Sequence, residues 1–295
     1  MPNSISLNKD TRVCISLAGR PSNLGTRFHN FLYAELGLDF LYKAFTTADL
    51  DGAVRGVRAL GFRGCSVSMP FKSAIIPLLD AVEDSAGDID AVNTVVNDDG
   101  VLTGSNTDVE AVATLLVEHA LDPASRVVLR GSGSMASAVS AAFSRAGFDR
   151  TTVWARNAEA GAAIAERDGH RFTDTEPDDA DLLVNVTPLG MAGPDEDALA
   201  FSPDLIRGAS AVFDVVALPV ETPLVRAARA ADLPIVTGAE VHALQAALQF
   251  ERYTGVRLTR DQVDRAHAFA RQACCLLYTS PSPRDRTRSR MPSSA

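Results

Sequence analysis

Lysine is rare in this 295-residue chain. It occurs at Lys9, Lys43 and Lys72, so 25 of the 28 basic residues are arginines. An arginine stays charged at any working pH, whereas a lysine amine can be tuned to give and take a proton. Lys72 follows the turn-like Met69-Pro70-Phe71 in the stretch GCSVSMPFKSAI. Downstream stand Asn93, in DAVNTVV, and Asn106 and Asp108, in GSNTD. Taken singly, each asparagine or aspartate has an alternative use as a local cap of turns and helices. Together with Lys72 they make a set of amine, carboxylate and amide at expected strand ends and loops, where open α/β sheets bind their ligands. The chemistry such a set points to is proton exchange.

A second pattern points to a nucleotide. SRVVLR reads as a strand and runs directly into GSGSMASAVSAAF. Gly131, Gly133 and Ala136 thus form GxGxxA, with Ser132, Ser134 and Met135 between them, after a strand and at the start of a helix. The first glycine permits the tight turn, and the second lets a pyrophosphate approach the backbone. The small third residue lets the helix pack on the strand. Free N–H groups at the helix N-terminus then face the phosphates. A tight strand-to-helix turn without a ligand is the competing reading. At the end of the next strand, TTVWARNAEAG has Arg156 and Asn157 where an NAD site carries an acid, and no acid comes before Glu159. An arginine suits a 2′-phosphate, so NADP is expected, with a solvated surface arginine as the alternative.

Composition narrows the class. A hydrophobic fraction of 46% and a charged fraction of 22% are ordinary for a globular protein with a good core. The net charge of −9 argues against a nucleic-acid or anionic-membrane surface. Five scattered histidines (His29, His119, His170, His242, His267) show no metal-ligand spacing, so no metal is expected. The four cysteines form no CxxC pair; Cys14 and Cys65 fall in apolar runs and read as core residues of a reducing compartment. The N-terminus lacks a secretory apolar core, and no apolar run approaches the roughly 20 residues of a membrane span. A cytoplasmic protein of about two domains is expected.

The elements that must position these residues alternate. TRVCISLAG, LYKAF and FRGCSVS read as strands, separated by the helical TRFHNFLYAEL and TADLDGAVRGVRALG. SAIIPLLDAV reads as helical, kinked or broken at Pro77. After the long amphipathic helix at about 107–120 the rhythm restarts. SRVVLR, TTVWAR, DLLVNVT, ASAVFDVV and LPIVTG are strands; MASAVSAAFSRAG, AEAGAAIAERDG and TPLVRAARAA are helices. The expectation is an α/β protein with a mostly parallel first sheet at 1–107 and a doubly wound nucleotide unit at 108–237. Helices at 238–277 return to the first unit. The last segment, 278–295, carries +3 from four arginines and one aspartate, has no periodicity, and reads as a disordered or extraneous tail.

VSMPFK, AVNTV, GSNTD, the glycine loop, NVTPLGM, PVETPL and GAEVHALQAALQFERYTG stand in the order seen in shikimate dehydrogenases. The chain resembles that family from about residue 11 to 272, and is nearest to its shikimate-dehydrogenase-like branch. The resemblance implies an N-terminal α/β substrate domain, an NADP-binding Rossmann domain and a cleft between them. It implies Lys72 and Asp108 as the catalytic pair. On the substrate it implies Asn23, Ser68, Asn93 and Gln245. On the cofactor it implies the loop 131–136, Arg156, Asn157, Asn185, Thr187, Gly190, Met191 and Gly238. The partner would be a small cyclic hydroxy acid bound by a monomer or homodimer, and the reaction a reversible oxidation of its ring secondary alcohol. The family's two carboxylate-gripping serines are Asn23 and Gly25 here, and its later tyrosine is Ala217. Arg20, Arg27 and the Asn23 amide are the available replacements. A non-catalytic NADP-binding sensor on the same fold is the alternative.

Overall fold

A computed structural model describes residues 7–277, without the side chains of 273–277. The basic segment 278–295 lies outside the described residues. β1 (Arg12–Leu17), α1 (Leu24–Glu35), β2 (Phe40–Phe45), α2 (Leu50–Ala59) and β3 (Gly64–Val67) alternate as the sequence pattern predicts. Asp49 caps α2 by accepting the Gly52 N–H at 2.8 Å. β1 pairs in parallel with β2 and β3, with Leu17 level with both Phe45 and Val67. The three strands therefore end on one edge, and the loops beyond β1 and β3 carry Arg20 and Lys72.

SAIIPLLDAV departs from its expected helix. It makes a single 3₁₀ turn at Ile76–Leu78 and then a two-residue strand, β4 (Ala81–Val82), parallel to β6 (Val101–Ser105). Proline at 77 has no N–H to give to a helix, so the chain leaves the turn and joins the sheet. After α3 (Asp84–Gly87), β5 (Thr94–Asp98) and β6 form a hairpin that the sequence pattern did not reveal. Its tip, Asp99-Gly100, has positive φ at both residues (51° and 94°), the geometry that matches strand twist. The hairpin makes the first sheet mixed, in the order β2-β1-β3-β5-β6-β4.

α4 (Thr107–Glu118) leads to a second sheet. Its elements are β7 (Val127–Arg130), α5 (Ser134–Arg145), β8 (Thr151–Trp154), α6 (Ala158–Asp168), β9 (Arg171–Thr173), β10 (Leu182–Asn185), α7 (Pro203–Gly208), β11 (Ala211–Asp214), α8 (Pro223–Ala230) and β12 (Ile235–Thr237). All its pairings are parallel, in the order β12-β11-β10-β7-β8-β9. The order reverses beside β7, and the crevice at such a switch point is where these sheets take ligands.

α9 (Gly238–Thr254) starts on β12 with a capping box. Thr237 accepts the Glu240 N–H, and Glu240 accepts the Thr237 N–H. With α10 (Arg260–Leu277) it returns to the first half, where Ala246, Phe250, Tyr253, Ala266 and Ala270 pack on Phe28, Leu32 and Tyr33 of α1. Burying one such large apolar side chain contributes about 1.5–3 kcal/mol. Cys14 and Cys65 are free and buried, and burial pushes both thiols up to about 12. No described helix is long and apolar enough to cross a membrane, and no described cluster of His, Cys, Asp or Glu could hold a metal ion.

Candidate active site

Lys72 Nζ donates to Asp108 Oδ2 at 2.7 Å, and the two side chains are only 15% and 12% exposed. Both line a cavity of about 260 Å³ at the edge where β1, β2 and β3 end. Local chemistry fixes each partner. Asn106 caps α4 by accepting the N–H groups of Asp108 (3.0 Å) and Val109 (3.3 Å), and its amide donates to Ala91 O at 2.7 Å. Asp108 is thereby held in the first turn of α4, where the helix dipole favours a carboxylate. The Lys72 carbonyl accepts the Val92 N–H at 2.9 Å, which ties the lysine loop to the segment carrying Asn93.

Asn93 is nearly fully buried, and its oxygen accepts from Thr94 Oγ1 (2.7 Å), Thr107 N (2.8 Å) and Thr107 Oγ1 (3.1 Å). That commitment leaves its amide N–H₂ for a ligand. α9 supplies His242, Gln245, Ala246 and Gln249 to the same cavity. Gln249 donates to Thr94 Oγ1 at 3.0 Å, and Gln245 to His242 O at 3.2 Å. Burial pushes the His242 imidazole down and nearby Asp108 opposes this, so the ring is held toward its neutral form. Tyr42 donates or accepts at Ser66 Oγ (2.8 Å), and these hydroxyls join Ser16, Ser22 and Ser68 in the lining. The wall is thus rich in groups that match ring hydroxyls.

A second cavity, of about 570 Å³, lies at the switch point of the other sheet, lined by Arg130–Gly133, Trp154–Asn157, Val186–Leu189 and Asp195. Gly131 sits at φ 134°, and a Cβ there would meet Val186 Cγ2 at 2.9 Å, so only glycine fits. Gly133 is the N-cap of α5 with no side chain capping it, which leaves the first-turn N–H groups available to an anion. Asn157 caps α6 at Ala160 N (3.1 Å), and exposed Arg156 stands beside it. These features fit a dinucleotide: a glycine cradle, a free helix N-terminus and an arginine just past the next strand.

A family model, the shikimate dehydrogenase substrate binding domain, matches residues 22–95. The shikimate dehydrogenase-like protein of Haemophilus influenzae is 50% identical over 267 residues, covering 90% of this chain and 98% of the relative. The chain belongs to the shikimate dehydrogenase family. Among solved structures, a shikimate 5-dehydrogenase-like protein superposes with a TM-score of 0.87 at 50% identity, covering 90% of this chain and 99% of that one. The Thermus thermophilus shikimate 5-dehydrogenase, in complex with NADP(H) and shikimate, gives 0.80 at 31% identity, covering 88% and 99%.

Of the residues singled out from the sequence, Lys72, Asp108, Ser68, Asn93 and Gln245 line the first cavity, while Asn23 is exposed at the start of α1 and does not. Gly131, Ser132, Gly133, Arg156, Asn157 and Thr187 line the second cavity. Ser134, Met135 and Ala136 lie behind them in the first turn of α5, with Ala136 fully buried. Asn185 is committed inward: it donates to Asp214 Oδ1 (3.0 Å) and Leu189 O (3.2 Å) and accepts from Thr187 Oγ1 (2.6 Å). It shapes the 186–191 loop from beneath. Asp214 there also accepts from Thr222 Oγ1 at 2.6 Å, and burial pushes its carboxyl up. Gly190 turns that loop at φ 86°, Met191 is half-exposed beyond it, and Gly238 opens α9 where a Cβ would strike Val215 O at 2.3 Å. Sequence reasoning missed His242 and Gln249, though their spacing to Gln245 (i−3, i+4) puts all three on one helix face. It also missed Arg130, whose guanidinium lies 4.0 Å from the Trp154 ring centroid.

Proposed function

We propose that this protein reversibly oxidises, with NADP, the ring secondary alcohol of shikimate or a closely related cyclic hydroxy acid. The observation that carries the reading is the 2.7 Å pair of Lys72 and Asp108 inside a hydroxyl- and amide-lined cavity. The first half of the chain holds the acid and the second holds the cofactor. Gly131, Ser132, Gly133 and the α5 N-terminus would hold the pyrophosphate. Arg156, with Arg130 in the same groove, would meet the 2′-phosphate, and Thr187 would border the nicotinamide. When bound, NADP supplies a two-electron acceptor at nicotinamide C4.

The side chains then do the rest. Asn93 and Gln245 hold ring hydroxyls and orient the reacting carbon. Lys72 hydrogen-bonds the hydroxyl to be oxidised and takes its proton; Asp108 holds the amine in place and stabilises its charged form. In reverse, Lys72 Nζ returns the proton to the carbonyl oxygen. An arginine at position 72 could carry the charge but not exchange the proton. Asn23, Gly25 and Ala217 stand where the family's carboxylate contacts would be, so the acid group is gripped differently here.

Absorbance of reduced nicotinamide tests the proposal, with purified protein, NADP or NAD, and shikimate or quinate in turn. Turnover faster with NADP than with NAD is expected. NADP binding without turnover of either acid would overturn the assignment.

A further inference from the structure

We propose that Arg20 is the carboxylate anchor of the substrate cavity and sets its specificity for ring acids over neutral ring alcohols. The inference rests on the reading that this cavity takes a cyclic hydroxy acid. Three charged side chains line it: Arg20, Lys72 and Asp108. Lys72 and Asp108 neutralise each other at 2.7 Å, so the remaining charge is the Arg20 guanidinium. Arg20 makes no hydrogen bond or ion pair with any described residue. Its five donors are free to form a two-pronged contact with a carboxylate, the geometry that guanidinium suits best.

The other two replacements fall away. Arg27 donates to Phe269 O at 2.9 Å, stacks 4.2 Å from the Phe269 ring centroid and lines a different, apolar cavity. Asn23 lies outside the lining, whereas Arg20, itself exposed at the rim, is part of it. Arg20, by contrast, sits on a loop fixed to the lysine loop. The Gly19 N–H donates to Met69 O at 2.8 Å, and a Cβ at Gly19 would lie 3.1 Å from Pro70 Cδ. Both loops leave the same sheet edge, from the paired strands β1 and β3. A carboxylate on Arg20 therefore fixes where the ring presents its alcohol to Lys72.

Equilibrium binding to the NADP-loaded protein tests this, with shikimate and its neutral carboxamide as the probes. In Arg20→Met the Kd for shikimate should rise about tenfold to a hundredfold, as expected for a lost charge-assisted contact, while the carboxamide Kd moves less than about twofold. Arg20→Lys should recover part of the acid affinity, since it keeps the charge and loses the fork. An unchanged acid Kd in Arg20→Met, equal losses for acid and carboxamide, or no acid binding by the wild type would each overturn the inference. Turnover read in the same samples separates the two ideas. Acid binding that depends on Arg20 without NADP reduction would defeat the proposed activity and leave the anchor standing.

Discussion

The two cavities of this chain are made of different material. The groove on the second sheet has one continuous, largely backbone-built stretch at its centre, flanked by segments 154–157 and 186–189: a strand end, a glycine at φ 134° and a helix N-terminus with no side-chain cap. The cavity on the first sheet is built from side chains that meet from far apart in the sequence. Lys72 comes from the loop after β3, Asp108 from the start of α4, and Gln245 from α9 in the returning segment. A backbone site tolerates many side chains and binds a common part of many ligands. A side-chain site can change its ligand by one substitution.

The sharpest break in that comparison is removal of Lys72. Lys72→Ala should lower kcat by about 10²–10⁴-fold, the usual contribution of a positioned acid–base group. NADP affinity, measured by fluorescence titration, should stay as in the wild type because the groove is untouched. Comparable losses of kcat and NADP affinity would mean that the two sites are not separable. The converse substitution is Gly131→Ala. It forces a side chain into the left-handed region and against Val186, at a cost of about 1–3 kcal/mol. Denaturant unfolding should register that cost, together with weaker NADP binding.

How much of each cavity is legible in the sequence follows from the same contrast. GSGSMA could be read alone because strand, turn and helix lie in one local run. Lys72 stood out only because lysine is scarce, and Asp108 because it follows the Asn106 cap. Asn93 joined them as an amide at an expected strand end, and the motif order of the family then supplied its substrate role and Gln245. Tyr42, on β2, carries no local signal, and the spacing of His242 and Gln249 to Gln245 marks a helix face but not what it faces: α9 reaches the cavity by crossing back to the first sheet, which no short window encodes. The hairpin of β5 and β6 leaves only a two-residue mark in the sequence, its Asp99-Gly100 turn, and the β4 segment is hidden because apolar residues around Pro77 mimic a helical face. Asn185 was legible as part of a motif, but its inward commitment to Asp214 depends on the β10–β11 register.

Acid should also separate the halves. His29 is fully buried in the first half, stacked 4.4 Å from Tyr42, with neither ring nitrogen hydrogen-bonded within the described structure. Burial pushes it down to about 3, and His267, on α10, to about 4. Their folded values lie below the unfolded one, so the unfolded chain takes the proton first. The stability they allow is complete above about pH 6.5 and falls as pH drops towards those values. Urea unfolding at pH 5 should therefore show stability lower than at pH 7.5 by on the order of 2 kcal/mol from His29 alone. Amide exchange should place the early opening around α1 and α9; equal stability at the two pH values would contradict it.

The smallest effect expected is at the groove's edge. Arg156→Gln should raise KM for NADP about tenfold, as for one exposed charged contact, and leave NAD nearly unchanged. Equal shifts for both cofactors would mean that Arg156 does not read the 2′-phosphate.

The most direct test of the central claim follows the hydrogen itself. Shikimate carrying deuterium on the carbon whose hydroxyl is oxidised would be incubated with NADP and the protein, and the reduced cofactor analysed by mass spectrometry. The account predicts one deuterium in the NADPH, formed by the wild type and suppressed about 10²–10⁴-fold in Lys72→Ala. NADPH without deuterium, or formed equally by both proteins, would contradict it.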